Sequence, residues 1–126
     1  MPYAVRLQRK HQLIEIRFTG AFRYQDALSA RQDASRLARG RNVRGLLVDQ
    51  SEVESFPGTT ANMFDFHTSH DSFFPPGFHT ALVYSPATTR PADARFAETV
   101  ALNQGIPFAT FTFRQAALEW LLNDPE

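Results

Sequence analysis

Three short apolar runs constrain this chain most: Gly45-Leu46-Leu47-Val48, Ala81-Leu82-Val83-Tyr84 and Phe108-Ala109-Thr110-Phe111. Each is continuous rather than alternating, the pattern of parallel strands with helices over both faces. Between the second and third runs, Pro91 to Gln104 carries Ala94, Ala97 and Val100-Ala101 at helical spacing and is closed by Gly105. Ahead of the first, Tyr24 to Ala38 shows the same longer period through Ala27, Leu28, Arg31, Ala34 and Leu37-Ala38, with Gly40 where a helix-terminating glycine belongs. Buried strands separated by amphipathic helices specify an α/β layout with right-handed crossovers.

The amino terminus follows another rhythm. Tyr3, Val5 and Leu7 alternate with polar or small residues, as do Ile14, Ile16 and Phe18, and only Arg9-Lys10-His11-Gln12 separates the two segments. A period of two with so short a link predicts an antiparallel edge hairpin of half-buried strands. Thr112 and Gln115 are spaced as a capping box opening a last helix from Phe113 to Leu122, with Ala117, Leu118, Leu121 and Leu122 as its apolar stripe. A further helix is expected from Ala61 to Ser72. The expected order is therefore ββαβαβαβα: a mostly parallel sheet with an antiparallel amino-terminal edge, in one domain spanning residues 1–126.

Composition removes several classes of function. Thirteen basic and thirteen acidic side chains cancel, so no global field draws nucleic acid or anionic lipid. The chain has no cysteine, which excludes thiol catalysis and disulfides and fits a cytoplasmic protein. No run approaches the ~18 apolar residues of a membrane span, and no apolar signal core opens the chain. There is no Gly-x-Ser-x-Gly elbow, Walker loop or dinucleotide Gly-x-Gly-x-x-Gly. A non-enzymatic protein without a cofactor is expected.

The strand ending LLVDQSEV, from Leu46 to Val53, and the tail FTFRQAALEWLL resemble the SpoIIAA-like proteins of the STAS group over nearly the whole chain. The resemblance implies a SpoIIAA-like sheet and a role in regulation or binding rather than turnover. It also implies a phosphorylatable Asp-Ser pair at the start of the helix after this strand. Aligned through Asp49, Ser51 and Val53, that pair falls on Pro57 and Gly58, so the acceptor hydroxyl is missing, and Thr59 and Thr60 stand beside the vacant position. A branch of relatives resembling the lipid-carrying SEC14 proteins suggests another use for the aromatic segment from Phe64 to Phe78.

Asp49 lies at the carboxyl end of a central strand, where open α/β sheets place their ligand crevices. With Ser51 it is either a contact for a ligand or partner, or an organiser of the turn through Asx- and ST-type hydrogen bonds. Pro57-Gly58-Thr59-Thr60 opens the next helix, whose free N–H groups suit an anion. His67, His70 and Asp71 can share a helix face, with His79 beyond. They lack the glutamate and the i,i+4 histidine pair of a zinc hydrolase helix, so no metal site is expected there. Five of twelve phenylalanines fall between Phe64 and Phe78, too many for one helix face. They belong to the core, to a homodimer or partner surface, or to the wall of an apolar pocket. Arg36, Arg39, Arg41 and Arg44 gather where the carbonyls of the first helix end, an arrangement favourable in itself and unaccompanied by a Gly-rich phosphate loop.

The leading expectation is thus a binding or regulatory module that associates with a protein partner or with itself. Its binding surface is expected to comprise Asp49, Ser51, Thr59, Thr60, Phe64, His67, His70, Phe73 and Phe74. The alternative is a carrier of a small apolar ligand or lipid beneath a Phe-rich lid.

Overall fold

The computed structural model describes residues 3–55, 79–103 and 105–122. Its elements are β1 (Tyr3–Gln8), β2 (Leu13–Ala21), α1 (Tyr24–Ala38), β3 (Gly45–Ser55), β4 (His79–Val83), α2 (Pro91–Asn103), β5 (Phe108–Phe111) and α3 (Arg114–Leu122). The expected helix over 61–72 lies outside the described residues. The five strands lie in the order β1-β2-β3-β4-β5. β1 runs antiparallel to β2, and every other neighbouring pair is parallel. The alternating segments thus become the edge hairpin, and the continuous apolar run at Gly45–Val48 becomes the middle strand.

Pleating sends odd and even positions to opposite faces. Ile14, Ile16, Phe18, Leu46, Val48, Leu82 and Phe108 form one core with Ala27, Ala30 and Ala34 of α1 and Ala101 of α2. Leu13, Leu47, Ala81 and Val83 form another with Ala117 and Leu121 of α3. Small residues on α1 let that helix lie close over the hairpin, where the Phe18 ring meets Tyr3 at a tilt and Phe22 edge-on. Arg31 is buried in α1, and burial pushes its guanidinium down to about 10 against the opposing influence of Tyr24, so it keeps its charge at neutral pH.

At the far edge, Glu98 of α2 accepts hydrogen bonds from the Thr110 backbone N–H and hydroxyl, both at 2.9 Å. That carboxylate occupies an outward N–H of β5, one way in which edge strands avoid pairing with another chain. The expected capping box does not form among the described residues. α3 begins at Arg114, Gln115 turns its amide to Glu119 at 3.4 Å, and the first turn closes from Ala117 N–H to the Phe113 carbonyl. A competing acceptor one helical turn ahead draws Gln115 away from the backward reach the motif requires.

Candidate functional site

β3 outruns its neighbour. Its pairing with β4 ends at Asp49 opposite Val83, whereas pairing with β2 continues to Ser55 opposite Ala21. Among the described residues, nothing pairs with β3 on the β4 side beyond Asp49. The segment expected as a loop after Asp49 is therefore a strand held along one edge.

That projecting strand is bulged. Arg17 faces Asp49, but Thr19 faces Glu52, so β2 advances two residues while β3 advances three. An extra residue reverses which face the later side chains occupy. Leu47 and Asp49 look toward α3, yet Val53 is buried in the core beneath α1. Asp49 provides the local cause, because its Oδ1 accepts hydrogen bonds from the Ser51 N–H at 2.9 Å and from the Ser51 hydroxyl at 2.6 Å. A backbone donor that would otherwise belong to the ladder is thus satisfied by a side chain two residues earlier, the Asx-type arrangement anticipated for this pair. Asp49 itself is only 4% exposed, while Ser51, Glu52, Glu54 and Ser55 are exposed.

Beneath Asp49 lies a charged network that the sequence reading did not assign to the site. On the α3 side of β2, Glu15 is buried with its side chain 2% exposed. Its Oε1 receives Nε and Nη2 of Arg6 at 3.2 and 3.1 Å, Nε2 of Gln8 at 2.5 Å and Nη2 of Arg114 at 3.1 Å. Its Oε2 meets Nη1 of Arg114, and Nη2 of Arg17 at 3.5 Å. Arg17 in turn brings Nε to 3.7 Å from Oδ2 of Asp49. Two buried carboxylates therefore share one arginine, in a line that runs from β1 through β2 to the bulge of β3.

Burial alone raises the Glu15 carboxyl. Hydrogen bonds from Arg114, Gln8 and Arg6, together with the Arg114 charge, outweigh it and hold the group below its ordinary value. Glu15 is accordingly ionised at neutral pH. The three arginines keep contact with water, with side-chain exposures of 63% for Arg6, 44% for Arg17 and 31% for Arg114. Through Arg17, the network braces Asp49 at the base of the bulge.

Of the expected binding residues, the structure brings together Asp49 and Ser51. Thr59, Thr60, Phe64, His67, His70, Phe73 and Phe74 lie outside the described residues, as do Asp71 and the Pro57-Gly58 position. His79 heads β4 and packs edge-on against Trp120 of α3, with ring centroids 5.8 Å apart. No described helix is long and apolar enough to cross a membrane.

No protein-family model and no curated protein matches the chain. Solved structures do. An uncharacterized protein of the DUF3478 family with a SpoIIAA-like fold, from Shewanella loihica PV-4, superposes with a TM-score of 0.62 at 14% identity, covering 94% of this chain and 93% of its own. The fold is SpoIIAA-like. A Ser→Glu variant of RsbS from Moorella thermoacetica gives a TM-score of 0.63 at 15% identity, covering 98% of this chain and 97% of its own. Within this SpoIIAA-like fold, the bulge sits on the middle strand of the sheet, at the carboxyl ends of the parallel strands.

Proposed function

We propose that this chain is a non-enzymatic regulatory module, acting in the cytoplasm by binding a protein partner or a second copy of itself. The observation that carries the reading is the projecting end of β3. Ser51, Glu52, Glu54 and Ser55 are displayed on a strand paired along one edge and anchored by the Asp49–Arg17–Glu15 line, whose two carboxylates are buried. Rigid support under exposed polar groups suits recognition, because little ordering is left to be done on binding. Similarity in fold to RsbS supports a regulatory role. In this reading the module lacks the phosphoacceptor serine, whose place falls on Gly58, and Thr59, Thr60, Phe64, His67, His70, Phe73 and Phe74 extend the surface.

A photo-crosslinking residue placed at Glu52 or Glu54 in the native host tests it, with Arg95 on the exposed side of α2 as the control position. A discrete adduct at the β3 positions, absent at Arg95 and weakened by Asp49→Ala, is expected. Equal adducts at both places, or none at β3, would overturn the reading. Light scattering of wild type against Phe73→Ser/Phe74→Ser separates the self-association form, which requires a concentration-dependent mass that the variant loses. If native mass spectrometry instead finds a bound apolar molecule, the lipid-carrier alternative replaces it.

A further inference from the structure

We propose that the opposite end of the sheet binds a phosphate-bearing ligand, in the groove between the β1–β2 turn and the connection from α1 to β3. The two segments are held together by a hydrogen bond from the Arg44 N–H to the Gln12 carbonyl at 2.7 Å, and Leu13 and Gly45 enter the sheet side by side. Gln12 adopts φ 57°, a left-handed conformation that turns the hairpin sharply. Between them lies an open groove of about 400 Å³ walled by Leu7, Arg9 and Gln12 on one side and Arg41 and Asn42 on the other. That size falls within the ~300–1,000 Å³ of small-molecule sites.

Its charge is one-sided. Arg9, Lys10, Arg39, Arg41 and Arg44 all belong to these two segments, and none forms a salt bridge among the described residues. The acidic residues that flank the two segments in sequence are engaged elsewhere: Glu15 by Arg6, Arg17 and Arg114, Asp33 by Arg36 and the Tyr3 hydroxyl, and Asp49 by Arg17. In a chain whose charges sum to zero, this end is basic while the projecting end of β3 is acidic. Arg41 spends Nη1 on the Leu37 carbonyl at 2.9 Å, which closes α1 and fixes its guanidinium at the groove wall. Arg44 reaches the Leu122 carbonyl at 3.4 Å. Guanidinium groups facing each other across a groove, with the amides of Gln12 and Asn42 beside them, match the several acceptor oxygens of a phosphate better than a single carboxylate. A compact groove accommodates one phosphorylated group, either a free phosphocompound or a lipid headgroup. The proposal is independent of partner binding at β3.

Amide-resolved NMR titration with inorganic pyrophosphate is the first arm. Sedimentation with phosphatidylcholine vesicles, with and without phosphatidic acid, is the second. Saturable shifts confined to residues 7–12 and 39–44, weakened about tenfold or more in Arg9→Gln/Arg41→Gln, are expected for a free phosphate ligand. Sedimentation only with phosphatidic acid, lost in the same variant, supports the proposal with a lipid headgroup as the source. Arg9→Gln alone guards against misfolding, since Arg9 makes no described side-chain contact. The proposal is overturned if neither probe binds, or if both variants bind as wild type does.

Discussion

Arg114 Nη2 stands 3.1 Å from Glu15 Oε1 and joins residues ninety-nine positions apart in the chain. The contact ties the first turn of α3 to the second strand, ahead of the helix's apolar stripe, which begins at Ala117. It is asymmetric in its exposure: the carboxylate is shut away from water and the guanidinium is not. Removing one partner of a buried pair is costly chiefly when the survivor cannot rehydrate. Arg114→Met is therefore expected to lose about 2–3 kcal/mol, because Glu15 stays buried with fewer donors. Glu15→Leu is expected to lie within about 1 kcal/mol of wild type, since all three arginines can turn to solvent and an apolar side chain suits the site. Urea unfolding of the two variants checks the inequality, and equal losses would show that the pair itself, rather than the stranded carboxylate, sets the cost.

Acid should act through the same residue. Glu15 is held below its ordinary value of 4.5, so the folded state binds fewer protons than the unfolded state as pH falls through this region. Stability from Glu15 is thus complete above the ordinary carboxylate range and is lost as pH falls through the lowered folded value. Between about pH 5 and pH 3, wild type should lose stability more steeply than Glu15→Leu. Parallel slopes for the two proteins in chemical unfolding would contradict the assignment.

The bulge makes its own prediction. Asp49→Ala leaves the Ser51 N–H without its acceptor and removes the anchor to Arg17, at an expected cost of about 1–3 kcal/mol. Hydrogen exchange should report it locally, with Ser51 and Glu52 exchanging faster while Leu46 to Val48 keep their protection. Asp49→Asn retains an acceptor oxygen and is expected to recover part of the protection at Ser51. Uniform loss along β3 would mean that Asp49 supports the strand generally rather than the bulge.

The layout was legible because its determinants are local. Continuous apolar runs at Leu46–Val48 and Leu82–Val83 require cover on both faces, whatever supplies it, and the helical spacing between runs supplies it. Asp49 and Ser51 were legible as a pair because their hydrogen bonds span two residues. Glu15 was not. In LIEIRF it occupies the polar phase of an alternating strand, which reads as a solvated face. Periodicity assigns the face but not what later folds over it, and the covering residue, Arg114, comes from the last helix. The available signal was an acidic residue on the inner strand of the hairpin, with Arg6 opposite in register. The bulge escaped for a related reason, since SEVES continues to look like a turn until its pairing with β2 is known.

Gln50 offers a test in the opposite direction. It is buried, and its Nε2 has no hydrogen-bond acceptor among the described residues. A buried donor left unmade costs about 1–3 kcal/mol, so Gln50→Leu should stabilise the fold by roughly 1 kcal/mol after allowing for the change in shape. A midpoint in urea shifted upward with unchanged slope checks this. A destabilised variant would indicate that the amide has a bound partner in solution.

Gly45 sets the spacing where β3 enters the sheet. A Cβ there would lie 2.9 Å from the His79 carbonyl oxygen, 3.0 Å from Leu121 Cδ2 and 3.6 Å from Leu13 Cδ2. Neither strand can simply retreat, because Gly45 is in register with Leu13 on one side and His79 on the other. Gly45→Ala is expected to cost about 1–3 kcal/mol by overpacking, and Gly45→Val more. Of the two close contacts, Leu121 is the end of a flexible side chain, whereas the His79 oxygen is backbone. Leu121→Ala should therefore relieve only part of the strain, giving a double variant more stable than the sum of the single losses but still below Leu121→Ala alone. Full recovery would place the conflict at the α3 side chain, and strict additivity would remove Leu121 from it altogether.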